Sequence, residues 1–383
     1  MATEIQNQSD QRKRVLVILA VVALLAGLAY FAWWALHGRY HETTDDAYVA
    51  GNQIRVTPRV PGTAVAVLAD DSDYVKRGQV LVRLDDTDAR VALDRSEADL
   101  ADAVRRVRQG FDLVKEREAN LALKQETLHQ AEADLERRGG AAAEQEAVSQ
   151  EEIEHARSAV TRARNDFQLT QAQFASAHAA VGGTTIDNHP AVMQAAARVR
   201  DAYLAGARCE IRAAENGYVA KRSVQVGQQV AVGVPLMALV PLDQLWVEAN
   251  FKEDQLRRLR IGQPVELVSD LYGSDPVFHG TVAGLDPGTG AAFSLLPPQN
   301  ASGNWIKIVQ RLPVRVTLDP KELAEHPLLV GLSLKANVDT HDQGGSALAT
   351  SASARHYETT VYDDAEKDAD VVVRRIIAAN RGS

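Results

Sequence analysis

Seven aliphatic residues stand at strict seven-residue intervals: Leu93, Leu100, Val107, Val114, Leu121, Leu128 and Leu135. From Asp88 to Arg138 there is no proline and one glycine, Gly110. A heptad sustained this long specifies a supercoiled helix, because a stripe repeating every 3.5 residues must keep facing a partner. The chain supplies that partner itself. After Gly139-Gly140, Ser149 and Glu152 have the spacing of a capping box that opens a second helix. In it Ile153, Ala156, Val160, Ala163, Phe167, Thr170, Phe174, Ala177 and Val181 alternate by three and four, a complete second seam. Gly182-Gly183 and Pro190 interrupt it, and a further helical stretch from about Ala191 to Arg208 leads back. The outward and returning arms nearly balance, which favours an antiparallel hairpin, with its tip at about 139–149, over a parallel dimer of single helices. Such a hairpin over residues 88–208 would project about 75 Å at ~1.5 Å per residue. Large side chains alternate with small ones along the second seam, so the hairpin is expected to be closely packed but thin, gaining stiffness from neighbouring hairpins in an oligomer.

The flanks of the hairpin repeat one another. Gly62 and Gly78 are 16 residues apart, and so are Gly217 and Gly233; a shift of 155 also maps Val75 onto Val230, Leu81 onto Leu236 and Leu84 onto Leu239. Each copy reads as short strands punctuated by glycine turns that call for positive φ. Half-length repeats of this kind pair into one β-sandwich, here residues 58–87 and 209–241, split by the hairpin. Such halves resemble a biotinyl/lipoyl domain, yet Arg83-Leu84-Asp85-Asp86-Thr87-Asp88-Ala89-Arg90 contains no lysine to carry a swinging arm. Asp85, Asp86 and Asp88 fit better as caps and charge complements at the helix start than as metal or acid–base residues.

The N-terminal segment sets the compartment. Residues 15–34 carry no charge and span about 30 Å as a helix, enough to cross a bilayer core. Arg12, Lys13 and Arg14 precede the run, and Tyr30, Trp33 and Trp34 close it like an interfacial belt. The positive-inside bias places residues 1–14 in the cytoplasm and the bulk outside. Bulky Trp33-Trp34-Ala35-Leu36-His37 is a poor cleavage site, so an uncleaved anchor is expected instead of a signal peptide. Residues 44–57 are expected to feed a small β-barrel completed by 242–340, with strands near 245–251, 265–268, 277–285, 306–309, 314–318 and 332–338 and a short helix near 254–259. The loop 286–304 is long for a connector. Residues 341–383 read as a disordered tail with a weak helix near 368–379.

Composition removes other functions. A net charge of -9 argues against nucleic acid, which calls for clustered positive charge. The single cysteine, Cys209, excludes an intramolecular disulfide, a two-cysteine redox motif and a zinc cluster. The ten histidines are scattered and form no zinc-protease His-Glu-x-x-His motif, and there is no glycine-rich phosphate loop. The expectation is a chain without catalytic residues, metal or cofactor.

The fold class is therefore mixed α and β, elongated and multidomain: a transmembrane helix, a split lipoyl-like sandwich interrupted by a coiled-coil hairpin, then a barrel. This arrangement resembles the HlyD-type membrane fusion proteins, or periplasmic adaptor proteins, and within them the EmrA-like branch. Thr44-Asp45-Asp46-Ala47-Tyr48-Val49 looks like that branch's opening strand, and Asn250-Phe251-Lys252-Glu253 and Ile261-Gly262-Gln263-Pro264-Val265 look like its barrel segments. Most specific is the run from Phe293-Ser294-Leu295-Leu296-Pro297-Pro298-Gln299-Asn300 through Trp305-Ile306-Lys307, followed by Val309-Gln310-Arg311-Leu312-Pro313-Val314. The resemblance covers residues 10–340.

It implies a single-pass protein of a bacterial inner membrane with most of the chain in the periplasm. It further implies a homo-oligomer, trimer or hexamer, that links a major-facilitator drug:proton antiporter to a TolC-like outer-membrane channel. In related adaptors the hairpin tip contacts the channel through an arginine, a leucine four residues on and a serine seven beyond that. Here Arg138 and Ser149 keep the spacing, whereas Ala142 occupies the leucine position. Two other readings use the same architecture: an adaptor for an ATP-driven exporter, and an envelope coiled coil with no transport role.

Overall fold

The computed structural model describes residues 2–36, 38–140, 149–290, 292–293, 309–349 and 357–382. Helix α1 (Ala2–Leu36) is longer than its apolar stretch. Its window Val15–Ala32 is apolar enough to cross a membrane, and none of it is buried against the rest of the chain. Immediately after it, β1 (His41–Ala50) enters a closed barrel, pairing on one side with β10 (Trp246–Lys252) and on the other with β14 (Ser333–Asp339). Strands β13 (Arg311–Leu318), β12 (Val277–Leu285) and β11 (Pro264–Ser269) complete the ring in the order β1-β10-β13-β12-β11-β14. Alternation sorts the faces: on β10, Val247, Ala249 and Phe251 are buried while Glu248 and Lys252 are exposed. The two ends of the chain segment that the barrel encloses thus meet side by side, which closure without a free edge requires.

The sandwich consists of two four-stranded sheets, and the 155-residue repeat maps one onto the other. One sheet runs β2 (Ile54–Val56), β9 (Met237–Val240), β7 (Gly217–Ala220), β4 (Tyr74–Val75). The other runs β6 (Glu210–Arg212), β5 (Val80–Leu84), β3 (Gly62–Val67), β8 (Gln229–Val230). Each sheet draws strands from both halves. Gly62 pairs with Val230 and Gly217 pairs with Val75, two contacts that the shift of 155 interchanges. Leu81, Leu84, Leu236 and Leu239, aligned by the same shift, all lie in the shared core. Burying each of them is worth about 1.5–3 kcal/mol, and neither half could bury them alone.

Two expectations change here. Strand β2 joins the sandwich through β9, so 54–56 do not feed the barrel; only β1 does. The glycines also divide by role. Gly78 and Gly233 both sit at φ +81°, as their turns demand, whereas Gly62 and Gly217 begin strands without positive φ. Gly217 is required by proximity instead: a Cβ there would lie 2.7 Å from the Val240 carbonyl oxygen.

Helix α2 (Thr87–Gly139) runs 53 residues, about 80 Å at ~1.5 Å per residue. It packs against α3 (Gln150–Val181) and then α4 (Pro190–Ala207). The arms are antiparallel: Arg164 pairs with Glu132 at 2.8 Å, Lys124 with Asp166 at 3.7 Å, and Arg117 Nη1 donates to Gln173 Oε1 at 3.2 Å. The returning arm breaks at Gly182-Gly183, and His189 Nδ1 accepts from Ala191 N at 3.2 Å to start α4 with Pro190 in its first turn. Beside the break, Gly110 allows close approach, since a Cβ there would lie 3.0 Å from Val181 Cγ1.

The chain beyond the barrel also differs from expectation. After a short helix, α5 (Pro320–Glu325), and β14, residues 363–380 form α6 (Asp363–Asn380). Its Ala369, Val373, Ile376 and Ile377 are buried, and the last three share a core with Leu100, Val104 and Val107 of α2 and with α4. This part of the tail is an ordered element, because apolar residues at i, i+4, i+7 and i+8 find a helical face to cover. The expected strand 306–309 lies almost entirely outside the described residues, as does most of the loop 286–304.

Candidate docking sites at the hairpin tip and the membrane-proximal barrel

Along the hairpin, the seam residues face inward, and past Leu93 the α2 stripe is graded from buried near the root to half-buried toward the tip. Leu100 and Val107 are buried, whereas Leu93, Val114, Leu121, Leu128 and Leu135 are half-buried. On α3 it is Ala156, Val160, Thr170 and Val181 that are buried, while Ile153, Phe167 and Phe174 remain half-buried; Ala163 and Ala177 are half-buried too. The largest side chains of this seam, Ile153, Phe167 and Phe174, are all among the half-buried. Two helices alone cannot enclose a large side chain on every side, so the distal seam stays partly open.

At the tip, α2 ends in Arg137 and Arg138, which complement the negative end of its dipole. Arg138 Nε pairs with Asp134 at 3.0 Å and keeps a side chain 42% exposed. Across the tip, Ser149 caps α3. Glu152 N donates to Ser149 Oγ at 3.3 Å, and Ser149 N donates to Glu152 Oε2 at 3.0 Å, the reciprocal capping box expected from the spacing. The bond from Ser149 N, with a second donated by Ser149 Oγ to the same Oε2 at 3.1 Å, holds the Glu152 carboxyl below the usual glutamate range, with a smaller contribution from the charge of Arg138. Arg138 and Ser149 therefore belong to one electrostatic neighbourhood bridged by Glu152. The third tip position, Ala142, lies outside the described residues.

At the hairpin root the three aspartates have separate roles. Asp85 Oδ1 accepts from Thr87 N at 3.0 Å and from Thr87 Oγ1 at 2.7 Å, which lowers its carboxyl below the usual aspartate range. Asp86 occupies the cap position yet makes no side-chain cap bond; it pairs with Arg90 at 3.0 Å, and Asp88 lies in the first turn. Of the three, Asp85 is the one whose side chain bonds the start of the helix, while Asp86 and Asp88 add charge there. Cys209, where the hairpin re-enters the sandwich, is buried, and burial followed by the charges of Asp86 and Asp85 pushes its thiol up. A raised thiol is a poor nucleophile and fits a packing residue.

The opposite end of the molecule is tied to the anchor. Thr340 donates to the Tyr40 carbonyl through both its backbone N and its Oγ1, each at 2.7 Å, and His341 stacks on the Tyr40 ring with centroids 4.2 Å apart. Arg258 also hydrogen-bonds the Arg39 carbonyl. The residues that looked like barrel motifs converge here. Thr44 Oγ1 donates to the Asn250 carbonyl at 2.8 Å, Asn250 Nδ2 donates to Asp46 Oδ1 at 3.3 Å, and Arg311 pairs with Asp46. Gln263 is buried, and its amide reaches the carbonyls of Arg258 and Asp342 while its Oε1 accepts from Arg260 N. A buried amide with all these partners is satisfied and fixes the loop it spans. Among the described residues, no group of three or more His, Cys, Asp or Glu could hold a metal ion.

Sequence reasoning located both ends and a weak helix near 368–379, but read the tail around it as disordered and missed that this helix packs on the hairpin root. The signal was available in the spacing of Ala369, Val373, Ile376 and Ile377; the serine- and alanine-rich stretch before the helix masked it.

Residues 87–209 match the family described as the EmrA α-helical hairpin domain. The chain is 47% identical over 373 residues to the fatty acid resistance protein FarA of Neisseria gonorrhoeae, a match covering 97% of this chain and 94% of FarA. It is 44% identical over 346 residues to the multidrug export protein EmrA of Escherichia coli strain K12, covering 90% of this chain and 88% of that protein. A solved structure of the periplasmic adaptor protein EmrA aligns at 20% identity with a TM-score of 0.39, covering 79% of this chain and 99% of that one.

Proposed function

We infer the role of this chain from its family: it belongs to the EmrA-like membrane fusion proteins, and we propose that it is the periplasmic adaptor of a multidrug efflux pump. In this role it turns over no substrate. The anchor holds it in the inner membrane with the N-terminus in the cytoplasm, as Arg12, Lys13 and Arg14 favour. The barrel stands next to the inner-membrane transporter, taken to be a major-facilitator drug:proton antiporter. The hairpin extends through the periplasm to a TolC-like channel, with Arg138, Ser149 and the segment around Ala142 as the docking tip. Several copies, a trimer or a hexamer, assemble so that neighbouring hairpins cover the half-open distal seam.

The observation that carries this reading is the succession of bodies along the molecule. An apolar anchor pinned to a barrel leads into a sandwich, and from the sandwich a helix of about 80 Å projects. That length suits a spacer between two membranes and serves no evident purpose in an enzyme. Deleting the gene tests the reading. Susceptibility to drugs and to fatty acids should rise, and return to normal with the intact gene. Unchanged susceptibility across both classes would leave an envelope coiled coil as the better account.

A further inference from the structure

The hairpin meets the sandwich through two neighbouring chain crossings, one ahead of Thr87 and one around Cys209. Among the described residues, Ala89 is the one side chain of the hairpin helices packed against the sandwich core. Two adjacent crossings make a hinge, about which a long lever can swing. The segment 357–382 bridges that hinge from the side. On the sandwich, Thr359 Oγ1 donates to the Ala214 carbonyl at 2.8 Å and Arg77 Nη2 donates to Thr360 Oγ1 at 2.6 Å. The Arg59 guanidinium lies 4.9 Å above the Tyr362 ring. On the hairpin, Val373, Ile376 and Ile377 of α6 are buried in the three-helix core at its root. Around that core Arg200 pairs with Asp370 at 2.6 Å, Arg381 with Asp187 at 3.6 Å, and Arg105 Nη1 donates to Asn380 Oδ1 at 2.9 Å.

We propose that residues 357–382 are a clasp that sets the angle of the hairpin on the sandwich. The segment runs beside the Cys209 crossing, where Thr360 and Tyr362 share a cavity with Leu204, Arg208 and Arg212, and its contacts with both bodies oppose rotation that the crossings alone would permit. The root then moves with the sandwich as one body, and bending is confined to the hairpin beyond Gly110 and Gly182-Gly183. The proposal stands whether or not the chain serves an export pump.

Distance measurements between nitroxide labels test it in the full-length, detergent-solubilised protein, with Cys209→Ala and labels introduced at the exposed Arg106→Cys on the hairpin root and Val226→Cys on the sandwich. The parent should give one narrow distribution. The variant Val373→Asp/Ile377→Asp, and a chain ending at Ala349, should each broaden it about twofold or more. Amide exchange should show barrel and sandwich protection unchanged, with the α6 amides of the double variant fully exchanging. A distribution as narrow as the parent's in the shortened chain would overturn the proposal. So would lost protection in the barrel or sandwich of either variant, since the segment would then be part of their cores and not a clasp over a hinge.

Discussion

Ser149 illustrates how one residue can serve two ends. Its hydroxyl and amide are both committed to Glu152, so its first task is to start α3. Ser149→Ala should cost about 1 kcal/mol, the usual value of an N-cap, and amide exchange at Glu152 and Ile153 should accelerate. The Glu152 carboxyl is depressed in the folded chain, so it binds a proton less readily there than in the unfolded chain. Its contribution is therefore complete above the ordinary glutamate range of about 4.3 and is lost as pH falls through the depressed value. Exchange at the start of α3 should rise below about pH 4 in the parent, and that pH dependence should weaken in Ser149→Ala, which keeps the backbone hydrogen bond to the Glu152 carboxylate and loses the hydroxyl's. This much was legible in the spacing of Ser149 and Glu152. Which of the three root aspartates bonds the helix start was not, because three acids within four residues leave the choice to backbone geometry that only the fold determines.

At the scale of elements, periodicity proved most informative where one face of a segment decides its burial. The seven-residue stripe gave the outward helix, the repeat gave a sandwich whose two sheets exchange under a shift of 155, and alternation gave most barrel strands. Residues 54–56 were misassigned because a three-residue strand carries no period of its own; pairing with β9 places it. The graded seam makes a further prediction. Leu121 and Leu128 face α3 in the half-open distal part, where α6 gives no support. Replacing both by Asp introduces charge along the contact between the arms, where desolvation is costly. Export should be abolished while the protein remains anchored in the inner membrane, measured by drug accumulation and membrane fractionation. Undiminished export from that variant would mean that the stripe is not the working seam.

For the molecule as a whole, the account places membrane attachment at one end, a passive spacer in the middle and a docking tip at the other. The succession anchor, barrel, sandwich and hairpin follows from the sequence, yet the tie between Tyr40 and Thr340 and the clasp of α6 across the hairpin root depend on contacts between residues hundreds of positions apart. Such contacts leave no local signature. Cross-linking in intact cells, from a photoreactive residue placed at Arg138 or at Gln150 beside Ser149, tests the central claim most directly. The account predicts capture of an outer-membrane channel protein from these tip positions and none from the same probe at Glu266 on the barrel. Capture of inner-membrane proteins alone from the tip, or of the channel from both sites alike, would contradict a hairpin that spans the periplasm to dock end-on.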